Sequence, residues 1–220
     1  MKKAIYQTKS DIIYEEIKND IINGKYEPNE RIIISEVARQ FGASDIPVRE
    51  AMRQLESDGL IQSKPYVGAV VTNFDQDDIR KIYQIRTVLE GMAARMAVKN
   101  IGQSHLKKLN SLIAKMRRAC QSENYGLLSN LNRDFHEVIY SASGNEYLKG
   151  TIFALWNMSV RARAIFTFVS NRALEAVEEH EKILGAIEIK NGVLTEKLII
   201  RHMTSHLKAL KLYFEQQEKK

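Results

Sequence analysis

The sequence predicts a mainly α-helical chain in two parts: an N-terminal winged helix-turn-helix with a small β-hairpin wing, and a C-terminal antiparallel all-helical bundle. Three observations predict it. The three prolines, Pro28, Pro47 and Pro65, all fall in the first third of the chain. Beyond Val71 the apolar residues recur at helical spacing for most of the remaining length. Before that point a short helix, a tight turn, a proline-started helix and a glycine-tipped pair of alternating segments follow one another in order. The change in punctuation near Thr72–Asp75 divides the chain into residues 1–73 and 74–220.

The elements of the first part follow from local signals. A helix from about Lys9 to Asn23 carries Ile12, Ile13, Ile17, Ile21 and Ile22 on one face, and Asn23-Gly24 ends it. A turn at Tyr26–Glu30 leads through Ile32–Ile34 to a short helix at Ser35–Phe41 that buries Val37, Ala38 and Phe41, with Gly42 as its stop. Ser44 is the predicted N-cap of a third helix reaching Asp58, with Pro47 in its first turn, where a missing N–H costs little. Gly59 closes that helix, and Leu60–Ser63 and Ala69–Thr72 alternate like two short strands around Lys64–Gly68.

The third helix has two faces. Val48, Ala51, Met52 and Leu55 fall at i, i+3, i+4 and i+7 and point inward. Asp45, Ile46, Arg49, Glu50 and Arg53 lie opposite. An exposed arginine pair at i, i+4 suits phosphates or guanine edges in a major groove; its bland counterpart is a solvated surface on which Arg49 and Arg53 pair with Glu50 or Glu56. Gly68 lets the hairpin tip approach a sugar-phosphate backbone, and Lys64 can reach phosphate there. The DNA-reading set is therefore Ser44, Asp45, Ile46, Arg49, Arg53, Lys64 and Gly68.

Charge adds little to this. The net charge is +6, yet residues 1–74 hold 10 Lys+Arg against 11 Asp+Glu, so the excess lies in the second part. A basic C-terminal part fits an anionic small ligand, although solvated helix faces account for most such charges. No apolar run approaches the ~18 residues that span a bilayer, and no secretory signal is read at the start. One cysteine, Cys120, fits a reducing compartment, so a cytoplasmic location is expected; beside Arg117 and Arg118 it is either a structural residue or a thiol of lowered pKa.

The second part reads as six or seven helices, at about 76–99, 103–121, 124–142, 145–170, 174–190 and 193–217. Asn132 and His136 share a helix face at i, i+4. His180 and His202 lie 11 residues either side of Asn191, the turn of a helical hairpin, which brings them to one height about 16 Å from the turn at ~1.5 Å per residue. Three imidazoles and one amide oxygen from three helices can converge on one divalent ion such as Zn or Ni, with positions left open. The alternative for each histidine is a buried ring satisfied by hydrogen bonds. His206, i+4 from His202, is a further candidate, whereas Asp134 points about 200° from Asn132.

The run from Arg31 to Ile61, with Pro47-Val48-Arg49-Glu50-Ala51 at its centre, resembles the GntR family of transcription regulators, whose signature PVREAL it matches with Met52 in place of Leu. One departure is Asp45, where the family commonly has Arg or Lys; a carboxylate can accept from cytosine N4 but cannot contact phosphate or guanine as Arg does. Ile85-Arg86…Leu89-Glu90, Asn132-Arg-Asp-Phe-His136, Gly144-Asn145 and His180-Glu-Lys-Ile-Leu-Gly-Ala-Ile187 resemble the FCD effector domain of the FadR-type branch. Many members of that branch bind a divalent metal through Asp and three His, and Asn132 stands at the Asp position. The resemblance places Arg86 near the effector pocket, where a guanidinium can hold a carboxylate bidentately; its alternative is an ion pair with Glu90. Arg161 and Arg163 are further effector candidates.

These readings imply a homodimer that binds near-palindromic double-stranded operator DNA, does not use a membrane, and is controlled by a small organic-acid effector. Two other readings compete. One is a metal-free regulator with a larger apolar or acyl effector. The other is a helical metallohydrolase using water at the histidine site with Glu137 or Glu181 as base.

Overall fold

The computed structural model describes residues 8–22, 25–27, 29–72, 76–159 and 170–217. Contacts divide the chain into two compact units, Met1–Asp75 with Asn157–Arg161, and Gln76–Trp156 with Ala162–Lys220.

In the first unit, α1 spans Lys9–Ile22. Thr8 and Asp11 start it by reciprocal bonds, each side chain accepting from the other's backbone N–H. Ile13, Tyr14, Ile17 and Ile21 are buried along it, but Ile12 is half exposed, because it lies about 100° around the helix from Ile13. The side chain of Ile22 lies outside the described residues. Helix α2 is Ile34–Gln40 and α3 is Asp45–Ser57. The turn between them works through Gly42, whose φ of 53° is left-handed. Ser44 does hold the N-cap position with extended backbone, yet its hydroxyl makes no capping bond, a departure from the expected cap.

Strands β1 (Ile61–Lys64) and β2 (Gly68–Val71) form an antiparallel hairpin with Ile61 opposite Val71 and Lys64 opposite Gly68. Lys64 and Gly68 thus pair where a turn was predicted. Three residues suffice for the turn, because Tyr66 takes a φ of 62°. Arg31 bridges Val70 on the far side of β2. Val48, Ala51, Met52 and Leu55 of α3 meet Ile13, Ile17, Val37, Leu60 and Val71 in one core, which fixes the other face of α3 outward.

The second unit contains six helices among the described residues: α4 (Gln76–Ala97), α5 (Gln103–Gln121), α6 (Tyr125–Ser141), α7 (Glu146–Met158), α8 (Ser170–Glu188) and α9 (Gly192–Gln217). Of the helix predicted over 145–170, Glu146–Met158 is helical and Ser159 is in a turn, an end that no Gly or Pro marks; residues 160–169 lie outside the described residues. Helix α4 packs along α9, α5 along α6, and α8 against both α9 and α5. The α4–α9 approach is close: a Cβ on Gly91 would lie 3.0 Å from the Ile200 side chain. Asn191 makes the predicted hairpin turn and caps α9 by accepting from the Leu194 N–H at 3.0 Å. No described helix is long and apolar enough to cross a membrane.

Candidate functional sites: an exposed arginine helix and a buried histidine triad

On α3, Asp45, Ile46, Arg49, Glu50 and Arg53 all face solvent. Ile46 is 70% exposed, high for a large apolar side chain. Arg49 pairs with neither predicted glutamate; its carboxylate is Asp45, one turn back at 3.8 Å, and both are more than half exposed. Such a pair is worth a few tenths of a kcal/mol at most and leaves the guanidinium available. Arg53 has no ion pair among the described residues. On the wing, Lys64 makes one long bond to Asn29 Oδ1 at 3.4 Å, and Gly68 has a φ of 96°.

Sequence reasoning missed Arg31. Its guanidinium lies 3.7 Å from where a Gly68 Cβ would stand, so it adds a cation to the wing. Only the bridge to Val70 reveals this. Tyr66 at the tip is fully exposed.

In the second unit, α6, α8 and α9 bring His136, His180 and His202 together. One nitrogen of each lies within 4.8 Å of the others, and all three rings are buried. The hydrogen bonds decide which nitrogen. His180 Nδ1 meets the Ala176 carbonyl, which only accepts. His202 Nδ1 meets Glu179 Oε2 at 2.6 Å, also an acceptor. His136 Nδ1 meets the Tyr140 hydroxyl at 2.9 Å, and that hydroxyl gives its one proton to Glu90 Oε2 at 2.6 Å. Every Nδ1 therefore carries a proton, and every Nε2 presents a lone pair. Two of these lone pairs face each other at 3.2 Å, His180 Nε2 to His136 Nε2, close to the ~3.3 Å edge of a tetrahedral site with ~2.0–2.1 Å bonds.

Asn132 borders the same site. Its Oδ1 is buried with no hydrogen-bond partner among the described residues, and it lines one small cavity with His136, His202, His206, Tyr83 and Arg86. An orphaned buried carbonyl costs ~1–3 kcal/mol, which a cation would offset. Three imidazole lone pairs and an amide oxygen are a donor set for a divalent metal, so the residues present fit one. The cavity volume is about 30 Å³, room for an ion and one or two waters at ~10–15 Å³ each. His206 borders it and stacks on Tyr83, but stands outside the group of three. Asp134 is exposed and takes no part.

Burial keeps these rings neutral. It holds His136 and His202 well below the ordinary imidazole value, with the neighbouring His180 as the next cause in each case. It takes His180 from 6.5 to about 4, against the opposing pull of the Ala176 bond and Glu179. An unfolded chain therefore binds more protons than the folded one between those values, so the metal-free protein has its full stability above 6.5 and loses it as pH falls towards 4. At ~1.4 kcal/mol per unit, His180 alone contributes roughly 3 kcal/mol, and His136 and His202 act in the same direction. Denaturant titrations of chelator-treated protein at neutral and acid pH are expected to register that loss. Equal stability at both would contradict a neutral triad.

Around the triad lies a shell that periodicity did not reveal. Arg86, predicted to hold an effector carboxylate, does border the cavity, but its Nε donates to Glu90 Oε1 at 2.8 Å; the i, i+4 pair weighed as the alternative exists and is buried rather than exposed. Trp156 Nε1 donates to the same oxygen at 2.7 Å. Burial, then Glu90, raises the Tyr140 phenol well above its usual range, so it keeps its proton. Arg172, fully buried, donates to Glu179 at 2.6 Å behind His202. Arg161 and Arg163 lie outside the described residues. Cys120 is half-buried.

Two family models match the chain: "Bacterial regulatory proteins, gntR family" over residues 9–71, and the FCD domain over residues 81–205. An uncharacterized HTH-type transcriptional regulator of Bacillus subtilis, YdhC, is 28% identical, the match covering 92% of this chain and 91% of the relative. A probable D-xylose utilization operon transcriptional repressor of Paenarthrobacter nicotinovorans is 26% identical over 94% and 91%. Among solved structures, Escherichia coli McbR/YncC superposes with a TM-score of 0.82 at 24% identity, over 96% of this chain and 99% of that one.

Proposed function

This chain belongs to the gntR family of bacterial regulatory proteins, is a DNA-binding transcription regulator with an FCD domain, and from that premise we propose that a small carboxylate-bearing effector, bound beside a divalent metal in the helical bundle, sets its operator affinity. The observation that carries the reading is the buried cluster of His136, His180 and His202, with the unpartnered Asn132 carbonyl in the cavity that His136 and His202 line. His136, His180, His202 and Asn132 would hold the ion, Zn or Ni being the chemistry these donors suit. All four donors are neutral, so the ion would keep its full charge and favour an anionic ligand. Arg86 borders the same cavity, which supports it as the second cation facing a carboxylate.

Ser44, Asp45, Ile46, Arg49 and Arg53 enter the major groove, while Lys64 and Gly68, with Arg31 beside them, bring the wing to the backbone. The chain acts in the cytoplasm as a homodimer on a two-fold operator. Ile85, Val88 and Met92 support the dimer: they line one outer stripe of α4 and are each about half exposed or more. The relative named as a repressor favours repression as the sign of control.

A larger acyl effector in a metal-free pocket fits less well, because the cavity, about 30 Å³, is too small for an acyl chain. The hydrolase reading lacks a base: Glu137 faces solvent, and Glu181 is ion-paired with Arg117. The test is a titration of purified protein on a duplex selected from random sequence. Two chains per site are expected, with release by small carboxylic acids from metal-loaded protein and not from chelated protein. Release that ignores the metal, or one chain per site, would overturn the corresponding part.

A further inference from the structure

The geometry points to Glu90 as the positioning residue that sets the tautomer of His136 through Tyr140, an inference that rests on the metal reading only for its consequence in affinity. The Glu90 carboxylate is buried and its two oxygens have different duties. Oε1 accepts from both Arg86 Nε (2.8 Å) and Trp156 Nε1 (2.7 Å), whereas among the described residues Oε2 accepts from the Tyr140 hydroxyl alone (2.6 Å). A phenol has one proton. Because Glu90 takes it, the Tyr140 oxygen can only accept from His136, which pins the His136 proton on Nδ1 and aims the lone pair of Nε2 at the other two rings. His180 faces the Ala176 carbonyl, and His202 faces Glu179 at 2.6 Å, with Arg172 Nη2 farther off at 3.5 Å and already donating to Glu179, so neither needs a relay. Among the three, it is at His136 that a residue two hydrogen bonds away decides whether a lone pair faces the site.

The asymmetry makes Glu90→Gln a directed test. With two donors already on the Oε1 side, the amide oxygen of the glutamine belongs there and its NH₂ faces Tyr140. The phenol then accepts from the amide and donates to His136 Nδ1, so the imidazole proton moves to Nε2 and the donor is lost. In metal-free protein, ¹⁵N NMR of the histidine rings is expected to find His136 protonated at Nδ1 in the wild type and at Nε2 in Glu90→Gln. Zn²⁺ affinity, by chelator competition, is expected to drop ~10–100-fold in that variant. In a Tyr140→Phe background the relay is cut, and Glu90→Gln should cost little more, a coupling that loss of packing alone would not produce.

A wild-type His136 carrying its proton on Nε2 overturns the inference, as does a Glu90→Gln protein that keeps it on Nδ1 or one whose affinity loss is undiminished without the Tyr140 hydroxyl. If Glu90→Gln does not fold, the wild type and Tyr140→Phe decide: the latter is expected to populate both tautomers, and retention of Nδ1–H alone counts against the relay. Tautomers that behave as expected in a protein that binds no Zn²⁺ uphold the relay and discard the metal.

Discussion

Arg49→Ala is expected to weaken operator binding by roughly 5- to 150-fold for each recognition helix, the range for losing one well-made contact of ~1–3 kcal/mol. On a two-fold site the loss is made twice, so a dimer would bind roughly 30- to 20,000-fold more weakly. The fold should survive, since the Arg49 side chain is 59% exposed and, among the described residues, its one ion-pair partner is Asp45. Arg53→Ala belongs in the same series. A base-edge contact relaxes sequence preference at one position, whereas a phosphate contact weakens all sequences alike and lowers the salt slope by about one. Asp45→Ala tests the reverse: if Asp45 restrains Arg49 in the free protein, removing it should raise affinity for non-specific DNA. Anisotropy titrations with circular dichroism as the control for folding decide. Wild-type affinity in Arg49→Ala would remove α3 as the reading element.

The head was legible because its signals are local. The i, i+3, i+4, i+7 stripe of Val48, Ala51, Met52 and Leu55 is a consequence of helical pitch, and the outward face follows from it. What stayed hidden depends on partners distant in sequence or on hydroxyl geometry. Arg31 reaches the wing through a bridge to Val70, 39 residues on. Ser44 occupies the cap without using its side chain, which no sequence pattern distinguishes from a working cap.

The bundle shows the same division. His180 and His202 were placed at one height by counting from Asn191, and their rings do meet, with centroids 4.7 Å apart. His136 joins them, with centroids 5.1 Å from each. The shell behind them was not readable: Tyr140 and Glu90 are 50 residues apart, Trp156 and Glu90 are 66, and nothing periodic links them. Glu179 sits next to His180 in sequence yet serves His202 across the hairpin. A helix pattern gives the face of a residue; it does not give the partner.

Loading with Zn²⁺ or Ni²⁺ is expected to stabilise the chelator-treated protein by about 4 kcal/mol when free metal is ~1,000 times its Kd, because an ion that binds the folded chain alone contributes RT ln(1 + [L]/Kd). For a chain of this size that is roughly 8–16 °C in unfolding midpoint. The effect should be large because the site is built before the ion arrives: each Nδ1 is committed, the rings are buried and neutral, and the facing lone pairs of His136 and His180 repel until a cation separates them. His180→Ala is expected to abolish the gain. Asn132→Asp should tighten binding, since a carboxylate adds a negative charge at the position whose oxygen has no hydrogen-bond partner among the described residues. That substitution also separates two roles of the site, for a more fully neutralised ion should hold an anionic effector less well. If neither metal moves the midpoint and freshly purified protein contains none, the three imidazoles are a packed core and the effector must be held by Arg86 and its neighbours alone.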